Sequence, residues 1–108
     1  MDLTRKKCVP CEGGTPPMPE SEENEYIDAI SGWALDRDGE HKIKRRFEFD
    51  DFVGAIGFVN RVAELAEDEG HHPDICVNYN KVDLQLTTHA AGGLTENDFI
   101  LAAKIDEL

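Results

Sequence analysis

The sequence predicts an α+β domain, a four-stranded antiparallel sheet with three helices packed on one face, in the order α-β-β-α-β-β-α. Three observations carry this. Two pairs of extended runs alternate side to side, and each pair is joined by a short turn, the pattern of hairpins rather than of parallel crossovers. Between the pairs, apolar residues from Phe52 onward recur at helical spacing. Segments with helix-start chemistry flank the whole set.

Taken in order, Ser21 offers a capping oxygen, and Glu22 and Glu23 place acids where a helix N-terminus favours them. Tyr26, Ile27 and Ile30 form the apolar side of this short helix, and Gly32 ends it. Trp33, Ala34 and Leu35 open a strand. Asp36-Arg37-Asp38-Gly39 is a turn with a strong hairpin dipeptide, and the chain returns from His41 to Phe49. In that run Ile43, Arg45, Phe47 and Phe49 share one face, against a charged face of Lys42, Lys44, Arg46 and Glu48.

Asp50 or Asp51 caps the longest helix, on which Phe52, Val53, Ile56, Val59, Ala63 and Ala66 form the expected core stripe. Gly54 and Gly57 weaken an isolated helix and point to close approach of another element. Gly70 is its C-terminal stop. Glu67, Asp68 and Glu69 sit at the end where the helix dipole disfavours acids, a local conflict of the kind found at functional edges. A third strand follows through Ile75, Val77 and Tyr79, then a reversal near Asn80. The fourth strand places Val82, Leu84, Leu86 and Thr88 on one face. After a loop at Ala90 to Gly93, Thr95 caps the last helix, whose apolar side is Phe99, Ile100, Ala103 and Ile105.

Residues 1–20 read as an extended or flexible arm before a domain at 21–108; they hold two of the three cysteines and four of the five prolines. Cys8-Val9-Pro10-Cys11 resembles half of a zinc knuckle without its other half, since Cys76 stands alone in a strand. No helix start follows it to activate a redox pair.

Eleven basic residues against 23 acidic ones give a net charge of −12, which excludes a nucleic-acid binder built on a cationic footprint and an anionic membrane surface as partner. The opening residues show no apolar signal core, and the longest apolar run, Phe52 to Val59, is far short of a bilayer span. Three cysteines form no closed disulfide framework. These features lead us to expect a cytoplasmic chain. A domain this short has a thin core, so self-association is a natural way to bury more.

The chemistry concentrates between Glu67 and Asp98. With a reversal about residue 80, opposed residues sum to about 160, which sets His71 opposite His89, with Cβ atoms ~5 Å apart. His72 precedes Pro73 at a helix-to-strand corner, where strict alternation need not hold. Glu67 lies one turn before His71, and Asp98 opens the last helix. Imidazole exchanges protons near neutrality, and facing imidazoles backed by carboxylates suit loss of water by paired acid and base. Metal ligation by His71, His72, His89 and Asp98 is a second reading, although adjacent histidines are a poor chelating spacing.

Glu67-x3-His71-His72-Pro73, then Tyr79, His89 and Asp98, resembles the signature of the pterin-4a-carbinolamine dehydratase family. Gly32-Trp33, Tyr79-Asn80-Lys81-Val82, Gly93-Leu94-Thr95 and Asp98-Phe99-x2-Ala102 extend the likeness over roughly residues 20–108. The resemblance implies a lyase that removes water from a 4a-hydroxytetrahydropterin to give a quinonoid dihydropterin, in tetrahydrobiopterin recycling. It implies His71, His72 and His89 as catalytic residues and Glu67, Asp98 and Trp33 as supporting or substrate-binding ones. It further implies no metal or organic cofactor, a pterin substrate, and a homodimer or homotetramer. A non-catalytic dimerisation or assembly scaffold of the same fold is the alternative.

Overall fold

The computed structural model describes residues 2–10 and 14–108. Its elements are α1 (Glu20–Ile27), β1 (Ala34–Asp36), β2 (Lys42–Glu48), α2 (Phe52–Glu69), β3 (Asp74–Asn78), β4 (Lys81–Leu86) and α3 (Glu96–Ile105). Single 3-10 turns add Leu3–Arg5 and His89–Ala91. The sheet order is β1-β2-β4-β3, antiparallel throughout. Each hairpin thus gives one inner strand, and β2 and β4 join at the centre, with Ile43 opposite Leu86 and Phe47 opposite Val82.

The α+β expectation holds in its stated order. Alternation along β4 sends Val82, Leu84 and Leu86 into the core, where all three are fully buried with Ile43 of β2. The helices cover this face. Lys44, Arg46, Asp83 and Gln85 lie on the other, where Arg46 pairs with Asp83 and Lys44 with Asp36. α3 is buried nearly all round, because the sheet takes one side and the first residues of the chain take another: Leu3 is inserted at 3 % exposure.

Three local readings differ from the structure. α1 begins at Glu20 after Pro19, with Ser21 inside its first turn rather than at its cap. α2 turns a different side inward: Ala55, Phe58, Val62 and Ala66 are buried, while Phe52 is 50 % and Val53 78 % exposed. Apolar residues cover more than half of this helix's circumference, so periodicity establishes the helix without choosing the face that packs. Of its two glycines, only Gly54 meets another segment among the described residues, at the Cβ of Phe49; the described neighbour of Gly57 is Arg61 of its own helix.

The third difference is register. Asn78 pairs with Lys81 and Asp74 with Gln85, one residue off the expected alignment. Tyr79 and Asn80 alone make the turn, and Tyr79 takes a left-handed conformation, φ 52°, rare for a bulky side chain. Asn80 holds this turn against the end of β2: its backbone carbonyl accepts from Phe49 N–H, and its side-chain amide donates to Phe49 O, both at 2.9 Å. Extended to the open end, this register sets His71 beside Thr88 rather than His89.

Candidate active site

α2 ends as its sequence predicts. Gly70 adopts φ 67° and ψ 27°, and the N–H groups of Gly70 and His71 both return to Ala66 O. This reversal carries His71 and His72 to the mouth of the β3–β4 hairpin. On the facing side, Thr88 bridges Gly93 and the intervening turn lifts His89 clear of the sheet. A cavity of about 310 Å³ opens between the two segments, lined by His71 and His72 on one side and Thr87, Thr88 and His89 on the other. That volume is in the range of small-molecule sites. Val9 of the N-terminal segment and Asn97 of α3 complete the wall.

The three imidazoles therefore line one cavity, and each has a carboxylate. His71, only 12 % exposed, sets Nε2 2.5 Å from Oδ1 of Asp98, which is fully buried. The other carboxylate oxygen, Oδ2, accepts from Thr88 Oγ1 at 2.9 Å and from Thr95 N–H at 3.0 Å. Thr95 Oγ1 lies 2.9 Å from Thr88 Oγ1 and extends the chain of hydroxyls. A carboxylate buried this deeply needs such partners to remain charged. As an acceptor only, it places the His71 proton on Nε2 and leaves Nδ1 with a lone pair. Asp98 lies behind His71 and does not itself line the cavity.

His89 has Nδ1 2.9 Å from Glu40 Oε1, with the imidazole 78 % exposed. The same oxygen is 3.1 Å from Thr87 Oγ1, which also reaches His41 O at 2.8 Å. Here the carboxylate claims Nδ1–H, and Nε2 is the nitrogen left for chemistry. His72 is paired more loosely, with Nε2 3.7 Å from Glu67 Oε1 and both side chains mostly exposed. Glu67 is outside the cavity wall. So is Trp33, which lies in the core, donating its indole N–H to both oxygens of Asp106 at 3.0 Å and meeting Phe47 edge-on.

Glu40, Thr87, Thr88, Asn97 and Val9 are not among the candidate site residues that the sequence offers. The sequence puts Thr88 on the buried face of β4, and that face leads to Asp98. Glu40 carries no local signal; it follows the Asp38-Gly39 turn and reaches His89 only across the sheet.

The fourth histidine is elsewhere. Arg37 pairs with buried Glu23, and His41 Nδ1 lies beside the same carboxylate, each at 2.9 Å. Cys8 is half-buried, its thiol 3.5 Å from Asn97 O; burial pushes that thiol up to about 12, and nearby Glu69 adds to the shift. A thiol held protonated is a poor metal ligand or nucleophile. Cys11 lies outside the described residues. Among the described residues no three His, Cys, Asp or Glu side chains gather to hold a metal ion, and no helix is long and apolar enough to cross a membrane.

Comparison with known proteins meets this geometry from another side. The family model for pterin 4 alpha carbinolamine dehydratase matches residues 16–108. A protein of Halorhodospira halophila named "Putative pterin-4-alpha-carbinolamine dehydratase" is 49 % identical over 108 residues, covering 100 % of this chain and 98 % of its own length. The mitochondrial pterin-4-alpha-carbinolamine dehydratase 2 of Arabidopsis thaliana is 46 % identical over 99 % of this chain, which spans 59 % of that longer protein. A crystal structure of a transcriptional coactivator/pterin dehydratase from Brucella melitensis superposes with a TM-score of 0.79 at 41 % identity, over 84 % of this chain and 96 % of that one. A pterin dehydratase-like protein described as a RuBisCO assembly factor in the alpha-carboxysome, 23 % identical with a TM-score of 0.60, shares the fold. The fold, the matched length and the identity of these relatives agree: the chain belongs to the pterin 4 alpha carbinolamine dehydratase family.

Proposed function

We propose that this protein dehydrates a 4a-hydroxytetrahydropterin by histidine acid–base catalysis. The observation that carries the reading is the convergence of His71, His72 and His89 on one cavity, with two of them held by carboxylates on the nitrogen away from the one left for reaction. His71, its proton fixed on Nε2 by Asp98, accepts the N5 proton of the substrate at Nδ1. His89, in its imidazolium form, gives its Nε2 proton to the 4a-hydroxyl. The C4a–O bond breaks, water leaves, and the electron pair of the N5–H bond forms the N5=C4a double bond of the quinonoid product. One proton enters His71 and one leaves His89, so the pair is restored by a single net transfer between them or through solvent. His72, open to solvent at the rim, steadies the ring. No metal or organic cofactor is required by this chemistry.

The test is a stopped-flow dehydration assay on wild type, His71→Gln and His89→Ala. Wild-type turnover that collapses in both variants supports the reading. Full turnover in either variant removes that residue from the mechanism, and an inert, folded wild type overturns the activity.

The scaffold alternative has one observation in its favour, the outward stripe of Phe52, Val53 and Ile56 on α2. Exposed apolar residues at helical spacing suit association, and a homodimer or homotetramer would cover them without involving the histidines.

A further inference from the structure

Val9 and its described neighbours lie outside the family-model match, yet Val9 forms part of the cavity wall. Its attachment is specific. Asn97, 4 % exposed, grips the backbone of Val9 in both directions: Val9 N–H donates to Asn97 Oδ1 at 3.0 Å, and Asn97 Nδ2 donates to Val9 O at 2.6 Å. Cys8 N–H donates to Glu69 Oε1 at 2.9 Å, and Glu69 is itself held by Lys104 at 2.8 Å with both side chains largely buried. Lys6 pairs with Glu96, and Leu3 is sunk beneath. Two-point pairing by a buried side-chain amide fixes the position and direction of the residue it holds, and a buried amide deprived of that partner is costly.

What the grip presents is an aliphatic side chain. Val9 remains 66 % exposed, and among the described residues it is the one branched aliphatic in a wall otherwise made of imidazoles, hydroxyls, an amide, Gly70 and Ala90. We infer that Val9, set in place by Asn97, is a substrate-contacting residue that covers the apolar surface of the bicyclic ring while the histidines address its N5–C4a edge. This rests on the dehydratase reading above. The contact is the same in ground and transition states, so it acts on affinity rather than on the chemical step. Asn97 is a positioning residue acting through Val9.

The experiment measures kcat and KM for 4a-hydroxytetrahydrobiopterin in wild type, Val9→Gly and Val9→Ile, with calorimetric binding of 7,8-dihydrobiopterin to each. Loss of the aliphatic wall raises KM and Kd about tenfold, with kcat within about twofold, and isoleucine restores both. A structural role alone would lower the unfolding midpoint of Val9→Gly and leave KM and Kd unchanged. That result overturns the inference while the dehydratase reading stands. If wild type binds the dihydropterin but does not turn over the carbinolamine, the Kd ratio decides the inference alone. If it does neither, both readings fall.

Discussion

Asp98 binds His71 with one carboxylate oxygen and Thr88 with the other, joining the corner after α2 to the end of β4 through the first turn of α3. Three elements are thus keyed to one buried charge. The same group that orients the candidate base also closes the fold around it.

Asp98 variants should therefore separate orientation from stability. Asp98→Asn keeps the shape but no longer fixes the His71 proton on Nε2, and kcat should fall about 10²-fold or more. Asp98→Ala leaves Thr88, Thr95 N–H and His71 without their acceptor and should cost about 3 kcal/mol in urea unfolding. A normal kcat in a folded Asp98→Asn protein would refute the orienting role. For the same reason His71→Gln is a cleaner probe than His71→Ala, since a side-chain amide still offers the buried carboxylate a donor.

Glu40 is predicted to orient His89. Glu40→Gln can accept from Nδ1 but no longer stabilises an imidazolium, so kcat should drop about tenfold while KM holds. His89 is mostly exposed and Glu40 only half-buried, so the unfolding midpoint should move little. An unchanged kcat in the folded variant would leave Glu40 without a role.

Docking of the N-terminal segment should depend on acid. Burial raises the Glu69 carboxyl, but Cys8 N–H and Lys104 outweigh it and hold the group below its ordinary 4.5. A folded pKa below the unfolded one adds stability that is complete above 4.5 and is lost as pH falls through the folded value. The Cys8 amide resonance should accordingly titrate with a midpoint below 4.5, and Lys104→Met should move that midpoint up. A midpoint at or above 4.5 in wild type would contradict the assignment.

The outward stripe on α2 should mediate self-association. Val53 is 78 % exposed, so Val53→Glu should leave the monomer folded while placing charge in any interface formed there. Light scattering should then report a mass nearer the 12.1 kDa of one chain than wild type gives. Equal masses for the two proteins would move the association surface elsewhere.

Much of the molecule was legible in its residues because the signals are local. Alternation along Lys81–Leu86 assigns a strand and its buried side together, since one face of that strand is wholly apolar. Gly70 announces the stop of α2, and the Asp50-Asp51 pair its start, because caps and left-handed stops are decided within a turn of chain. The histidine, carboxylate and proline spacing pointed to one mouth of one hairpin. Other features were set by packing. Tyr79 gives no sign that it will take φ 52°, so the register came out one residue away, and His89 reaches the cavity from a 3-10 turn rather than from a strand end. α2 is apolar on two sides, and only the sheet beneath it selects Phe58 and Val62 over Val53 and Ile56. Glu40 meets His89 across the sheet, and Val9 meets Asn97 over 88 residues. Residue type and spacing determine the elements and the chemical groups they carry; which groups touch depends on how whole faces pack, and that is decided by surfaces contributed from the entire chain.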